Sequence, residues 1–361
     1  VGETPTSALA VYTARPTVRI DAQEYPKVSE LMLGLEMTEH EGGMSALEMR
    51  VSNVASDPFG DAGLAFEDDE VLCLGARITV YTGDELEPRE IFAGTITGLE
   101  AHFPTDGPPE LTVLAEDALQ RARMKRRTKV HEDMSLNDIA RNLANDLGLT
   151  PVITGLDDTT GTYVQLNESD LAFLRRLLAR HDGDVQVVGE ELHVSPRAEV
   201  RRGDPDLELH GQLRRARVCA DLSHQVTKVT VSGWNAIQGR AVTGASTGED
   251  SGPGSGRGGS DVLRDALGER SHHISHLAVN DDDEASAIAS AAFDARARAF
   301  VVVEGTAEGN AEIRVGTHVR LSGLGGRFDN SYYVVQTRHR FDARGYETDF
   351  TAQCGFLGAG R

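Results

Sequence analysis

The segment Ser271-His-His-Ile-Ser-His276 gathers three imidazoles, the commonest metal-binding side chain, into a short stretch. On a helix, His272 and His276 would share a face, a spacing from which two ligands can reach one ion. Neither an HExxH pattern nor an adjacent carboxylate accompanies them, so the segment reads as a polar loop and no metal site is expected. Asn280-Asp-Asp-Asp-Glu284 lacks the alternating ligands and central glycine of a calcium loop, and its charge suits the N-terminus of a helix. Ser251-Gly-Pro-Gly-Ser-Gly-Arg-Gly-Gly259 lacks the Lys-Ser/Thr of a phosphate loop and reads as a flexible loop. Asp57, Asp61, Asp68 and Glu70 could supply paired carboxylates for glycoside cleavage, but nothing fixes their separation. Cys73, Cys219 and Cys354 form no C-x-x-C pair, suggest neither a disulfide nor a zinc site, and read as buried small hydrophobes. The expectation is a chain with no catalytic residue, metal or cofactor, and hence not an enzyme.

Composition points the same way. With 361 residues the chain is long enough for two or three domains, and 5% aromatic content with 38 glycines suits a β-rich protein with many turns. A formal charge of -21 excludes specific nucleic-acid binding, because a phosphate backbone is repelled at long range. An acidic surface serves solubility, and it also lets a polyanion or folded cargo slide past without sticking. No run approaches the roughly 18 apolar residues that cross a bilayer. The chain opens Val1-Gly2-Glu3, without a charged-then-apolar leader, so no membrane insertion is expected and the protein is expected to fold in the cytoplasm.

The elements that must position any site follow from periodicity. Val18 and Ile20, then Leu31, Leu33 and Leu35, then Leu47, Met49 and Val51 alternate as strands do, and three more short strands fit Gly75 to Tyr81, Ile91 to Thr97 and Glu110 to Ala115. Between Glu116 and about Leu213 the period changes to that of helices. Ser135 caps a helix carrying Leu136, Ile139, Ala140, Leu143 and Leu147, with Asp138 as its capping-box partner and Gly148 as its stop. A second helix presents Leu171, Leu174, Leu177 and Leu178, and a hairpin turns at Gly189-Glu190. Strand character returns at Lys228 to Trp234, an alanine-rich helix spans about Glu284 to Phe300, and strands resume to Gln353.

An internal repeat organises these elements. Gly75 to Tyr81 matches Gly316 to Ser322 in pattern, Gly94 to Phe103 matches Tyr332 to Phe341, and Glu110 to Ala115 matches Glu347 to Ala352, at an offset of about 240. The expected fold is therefore mainly β (α+β): two related antiparallel β-barrel domains flanking a small α/β domain, with a loop and helix insertion in the second barrel. The expected boundaries are 1–115 for the first barrel, 116–213 for the α/β domain, 214–245 plus 298–356 for the second barrel, 246–297 for the insertion and 357–361 for a tail. Duplication of one barrel lets a trimer present six similar edges around one axis, which suits the cap of a hexameric tube. Lys125-Arg-Arg-Thr-Lys129, the one compact basic run, reads either as a solvated helix end or as a contact with an acidic neighbour in such a trimer, making Lys125, Arg126, Arg127 and Lys129 trimer-contact candidates.

Asn167-Glu-Ser-Asp-Leu-Ala-Phe-Leu-Arg-Arg-Leu-Leu178, with Phe92-Ala-Gly-Thr-Ile, the Ser135-Leu-Asn-Asp-Ile-Ala start, Val231-Ser-Gly-Trp-Asn235 and Tyr332 to Phe350, resembles the late control protein D family of contractile phages. It resembles with it the hub portion of VgrG and the baseplate hub of extracellular contractile injection systems. The resemblance covers nearly the whole chain. It implies a homotrimeric structural hub that adapts a hexameric tail tube to a trimeric central spike, in a phage tail or injection particle assembled in the bacterial cytoplasm. Partners implied are the tail tube protein, the central spike protein, baseplate wedge components and the chain itself. Tube-facing candidates are Arg77, Thr79, Tyr81, Phe92, Thr95 and Thr97 of the first barrel and His318, Arg320, Tyr333 and Val335 of the second. VgrG chains continue into an oligonucleotide/oligosaccharide-binding barrel and a β-helical needle, whereas this sequence ends at Arg361, which leaves open a separate spike protein or a longer native chain. The rival readings are a spike-associated cell-wall hydrolase and an effector carrier of the VgrG kind.

Overall fold

The computed structural model describes residues 15–56, 62–67, 70–82, 88–156, 160–236, 238–248 and 252–358. Asp57, Asp61 and Asp68 lie outside the described residues.

Twelve strands build two equivalent units. The first contains β1 (Thr17–Ile20), β2 (Met32–His40), β3 (Ala46–Ser52), β4 (Arg77–Thr82), β5 (Arg89–His102) and β6 (Glu110–Glu116). The second contains β7 (Asp206–Glu208), β8 (Leu213–Ala220), β9 (Val301–Glu308), β10 (His318–Ser322), β11 (Asn330–Asp342) and β12 (Gly345–Cys354). Strand order is β1-β4-β5-β6-β3-β2 in the first and β7-β10-β11-β12-β9-β8 in the second, so each strand has a counterpart six places on. The fold is mainly β with two related units, as the repeat implies. One pairing breaks the antiparallel rule: β7 runs parallel to β10, whereas β1 runs antiparallel to β4.

The equivalence extends to single residues. Ile96 pairs with Ala115 and Gly98 with Leu114, leaving Thr97 as a bulge; Val334 pairs with Ala352 and Gln336 with Thr351, leaving Val335 as a bulge at the same place. A second bulge is also repeated. Met32 and Gly34 face Val51 and Arg50 with Leu33 left over, as Leu213 and Arg215 face Ala307 and Thr306 with Arg214 left over. Because a slip of one residue would send every side chain to the other face, two matched bulges fix the same inside and outside in both units.

Between the units sits the α/β segment. Helix α1 (Leu136–Leu147) starts at the Ser135–Asp138 capping box and ends at Gly148, whose φ of 72° only glycine adopts cheaply. Helix α2 (Asp170–Leu178) packs against it around Leu143, Leu147, Leu171, Leu174 and Leu178. A three-stranded sheet of residues 150–153, 183–188 and 191–196 completes the layer.

Two expectations are corrected here. Lys228–Asn235 and Arg240–Ser246, expected in the second barrel, pair instead with each other and with Ser271–Ile274 in a separate sheet. Helix α3 (Asp282–Arg298) covers that sheet: Val229, Val231 and Val242 bury their side chains against Ala285, Ile288, Ala289 and Phe293. Gly244 permits the close approach, since a Cβ there would lie 2.3 Å from the Ala285 carbonyl carbon. The glycine-rich stretch is also no free loop. Arg257–Gly258 pairs with Phe356–Leu357, and Asn330 exchanges hydrogen bonds with the Ser255 backbone at 3.0 Å in each direction. The glycines serve close contact rather than flexibility, because a Cβ on Gly256 would sit 2.1 Å from the Leu357 carbonyl oxygen.

Candidate functional site

The feature that joins the repeat into one body is a seam in which β2 of the first unit pairs with β11 of the second, from Gln336 opposite His40 to Phe341 opposite Leu35. Alternation sorts its two faces. Leu35, Met37, Glu39, Thr337, His339 and Phe341 point inward and are buried, while Glu36 and Arg338 on the outer face form an ion pair. Phe341 and Tyr346 of the second unit belong to the hydrophobic core of the first, so the two cores interlock across the seam.

At its centre Glu39 is fully buried. Its carboxylate accepts from Arg314 Nε at 2.8 Å and from Arg314 Nη2, from the Thr337 hydroxyl at 3.2 Å and from the Val315 N–H at 3.3 Å. Burial favours the neutral acid, but the Arg314 charge and its hydrogen bonds outweigh that and hold the carboxyl at about 2. His339 beside it is pushed down to about 4, first by burial and then by Arg314, and so stands neutral with Nδ1 2.7 Å from the Tyr346 hydroxyl. Burial likewise raises the Tyr346 phenol to about 12. A buried pair of this kind is a clamp: with both partners present the charges cancel, and with one removed the other is stranded.

The tube-facing sequence candidates fall at equivalent places in the two units. Arg77 and His318, Thr79 and Arg320, Thr95 and Tyr333, and Thr97 and Val335 occupy matching positions in the β4–β5 and β10–β11 ladders. Thr79, Phe92 and Tyr333 are buried, whereas Arg77, Thr95, Thr97 and Arg320 are exposed. Arg77 pairs with Glu190 at 3.0 Å, Arg320 with Asp206 at 3.1 Å, and Tyr81 lies under the Arg19 guanidinium at 4.8 Å. Of the basic run, Arg127 is engaged within the chain by Asp170 at 3.0 Å and Arg126 by the Asn167 carbonyl at 3.3 Å, while Lys125 and Lys129 are exposed.

The most telling sequence motif is structural. Asn167 takes a positive φ of 50°, Ser169 caps α2 by accepting the Ala172 N–H, and Arg176 reaches back to both carboxylate oxygens of Glu168 at 2.8 Å. The turn from strand to helix is thereby fixed by local polar contacts. Ser271–Ile274 is a strand, so His272 and His276 share no helix face; His273 bonds the Thr230 and Ser232 hydroxyls at 2.8 and 3.1 Å. No cluster of metal-ligating side chains occurs among the described residues. Asp281 caps α3 through the Glu284 N–H at 2.8 Å. Cys354 is buried as expected, whereas Cys73 is only partly buried and Cys219, on β8, is exposed. An open cleft of about 770 Å³ beside the seam is lined by Glu39, Gln186, Arg202 and Arg314, whose charges are tied up in the Glu39–Arg314 pair and in an Arg202–Asp184 pair at 3.0 Å.

Sequence reasoning missed Glu39 and Arg314, because nothing in either local stretch marks two residues so far apart in the chain as partners. Among the described residues no helix is long and apolar enough to cross a membrane.

Solved structures similar to this chain in fold include two tail proteins. The 43 kDa tail protein of prophage MuSo2 from Shewanella oneidensis aligns over 94% of this chain and 97% of its own, with a TM-score of 0.69 at 12% identity. The tail protein from Neisseria meningitidis MC58 aligns over 94% and 96%, with a TM-score of 0.67 at 11% identity. The E. coli c3393 protein, a component of the type VI secretion system with structural similarity to the T4 tail proteins gp27 and gp5, aligns over 95% and 79%, with a TM-score of 0.55 at 13% identity. These likenesses establish the fold. No curated protein matches the sequence. The sequence motifs pointed to the late control protein D family, whereas the family model that matches is described as the Alg8 N-terminal domain and spans residues 58–343; the chain belongs to that family.

Proposed function

We propose that the chain is a non-enzymatic structural hub of a contractile tail or injection machine, working as a homotrimer that adapts a hexameric tail tube to a trimeric central spike. The observation that carries this reading is the residue-for-residue repeat, with both bulges matched, in one polypeptide. Three such chains around an axis present six equivalent sheets to a sixfold partner, while their unlike parts keep threefold character for a spike. The insertion covered by α3 belongs only to the second unit and supplies that difference. Likeness of fold to tail proteins and to a type VI secretion component supports the setting. Tail tube, central spike and baseplate wedge proteins are the proposed partners, and the acidic composition suits a lumen through which cargo passes.

Native mass spectrometry of the full chain tests the reading. A dominant species of three chains, with threefold averages in electron microscopy that show six like lobes, is the expected result. A protein that stays monomeric up to the concentrations of particle assembly overturns it.

A further inference from the structure

Where the glycine-rich stretch meets α3 and the second unit, separate segments of the chain wall an open cavity of about 390 Å³. Arg197 and Arg201 reach it from just after the 191–196 strand, Arg298 from the last turn of α3, His318 from β10 and Tyr333 from β11, and Gly252 and Gly254 line it as well. Three guanidinium groups and an imidazole therefore face one space, and among the described residues no carboxylate lines it. In a chain with a formal charge of -21 that is a local reversal of sign. We infer that this cavity binds a small oxyanion of the phosphate or carboxylate class. The inference goes beyond the assembly reading above and does not rest on it, since the site lies within a single chain.

Burial sets these charges apart from surface arginines. Arg298 is 2% exposed and Arg197 8%, and charge at that depth persists only where opposite charge compensates it. Each has a carboxylate away from the cavity: Asp182 for Arg298, and Glu41 at 2.7 Å for Arg197. One carboxylate does not saturate a guanidinium, which carries five N–H donors. Arg197 places Nε against Glu41 and donates Nη2 to Gln353 at 3.2 Å, and nothing among the described residues accepts from its Nη1. Glu41 is also a reluctant anion, because burial outweighs the Arg197 charge and raises its pKa above the ordinary carboxylate value. Arg201 is the exposed member, and its pair with Asp204 at 2.8 Å is of the surface kind that a ligand displaces at little cost. Tyr333 adds a second sign of unmet polar demand: its buried hydroxyl has no hydrogen-bond partner among the described residues, whereas protein interiors pair such groups. Burial raises the phenol, which therefore stays protonated and able to donate. The glycines keep the space open. Gly252 takes a φ of 80°, and a Cβ there would lie 3.0 Å from Arg298 Cδ. The stretch lacks the lysine of a phosphate loop, and the cations come instead from Arg197, Arg201 and Arg298. Because these belong to the α/β segment and the insertion, and His318 to the second unit, a bound oxyanion ties three parts of the chain together through charge-assisted hydrogen bonds.

Isothermal titration calorimetry of the full chain with inorganic phosphate, at an ionic strength held constant with sodium chloride, tests the site. Saturable binding with a dissociation constant below about 1 mM is expected. The melting temperature should rise with phosphate concentration, as binding to the folded state requires. Arg201→Gln, at an exposed position, should weaken binding about tenfold with the fold intact. Arg298→Lys keeps the charge but gives up the planar fork, and should weaken it at least as much; if that variant does not fold, the Arg201 variant decides alone. Arg217→Gln, exposed on β8 and outside the cavity, should change nothing. Phosphate and carboxylate share this recognition chemistry, so citrate and a short polyglutamate peptide are titrated in parallel. Binding of the small ions without the peptide identifies a free ion as the ligand, and a peptide that phosphate displaces identifies a carboxylate carried by a partner segment; both uphold the site. No saturable binding of any of the three, or equal losses in the Arg201 and Arg217 variants, overturns it. Oligomeric state is not the readout, so either outcome leaves the threefold reading to its own test.

Discussion

The two barrel units share strand order, register and bulges, yet they fill the same positions with different side chains. In the first unit Met49 on β3 faces Val113 on β6; at the equivalent place Gly305 on β9 faces Phe350 on β12. A long chain opposite a short one has been exchanged for no side chain opposite a ring. The Phe350 ring lies where a Cβ on Gly305 would be, with Cζ 2.4 Å from that point. The same exchange occurs along β5 and β11. Gly94 is roofed by the ring of Phe92, whereas the counterpart of Gly94 is Tyr332, a buried ring, and the counterpart of Phe92 is Asn330. Volume is conserved across each local group rather than at each residue, which is what close packing demands of a duplicated core. Identity between the units can therefore fade while geometry stays fixed.

The comparison breaks most severely at the seam, where the units differ in kind. Glu39 of β2 has Ala220 as its counterpart, so the first unit carries a buried charge where the second carries a methyl group. Glu39→Ala should strand the Arg314 guanidinium and cost roughly 3–5 kcal/mol in denaturant unfolding. Ala220→Gly, at the exposed counterpart, should cost under about 1 kcal/mol. Equal losses at the two sites would show that the clamp contributes nothing specific.

Acid should probe the same clamp more gently. His339, faced by Glu39 of β2, Arg314, and Tyr346 and Thr348 of β12, is held near 4 against an ordinary 6.5. As pH falls from 6.5 toward 4 the unfolded chain takes up a proton that the folded chain refuses, so stability is lost across that window, by roughly 3 kcal/mol at most. Glu39, held near 2 against 4.5, contributes stability that is complete above 4.5 and declines as pH falls toward 2. The expected profile declines in two successive stages, and His339→Gln should flatten the upper one. An upper stage unchanged in that variant would place the titration elsewhere.

How much of this was legible beforehand follows from the range of each signal. The α1 cap at Ser135 and Asp138, the α3 cap at Asp281 and the hairpin at Gly189 are local polar or conformational signatures, and the sequence declares them outright. The repeat was visible because strand period survives the exchange of side chains. Burial was less so: a strand candidate such as Phe92 or Tyr333 alternates equally well whether its face meets solvent or core, and only packing decides. Strands 228–235 and 240–246 were misplaced for a related reason, since valine alternation marks a sheet but not which one. The glycine-rich stretch misled because composition cannot separate glycines kept for freedom from those kept for close approach. The Glu39–Arg314 clamp joins residues from distant parts of the chain and left no local trace.

The smallest effect sharpens the comparison furthest, because it asks whether the two fillings are interchangeable. Gly305→Ala places a methyl group against the Phe350 ring and should destabilise by about 1–3 kcal/mol, through overpacking. Gly305→Met alone should cost more, and Phe350→Val alone should leave a void and cost a similar amount. Combined, Gly305→Met and Phe350→Val rebuild in the second unit the pair that Met49 and Val113 form in the first. The double variant should then regain about 1–3 kcal/mol relative to the sum of the single losses, read as a coupling energy in a double-mutant cycle by urea denaturation. The neighbouring side chains differ between units, so the recovery should be partial, and its shortfall measures how far each core has specialised since the two became distinct. Strict additivity would mean that the backbones, though alike in register, do not present equivalent space, and the correspondence between the units would end at the hydrogen-bond ladder.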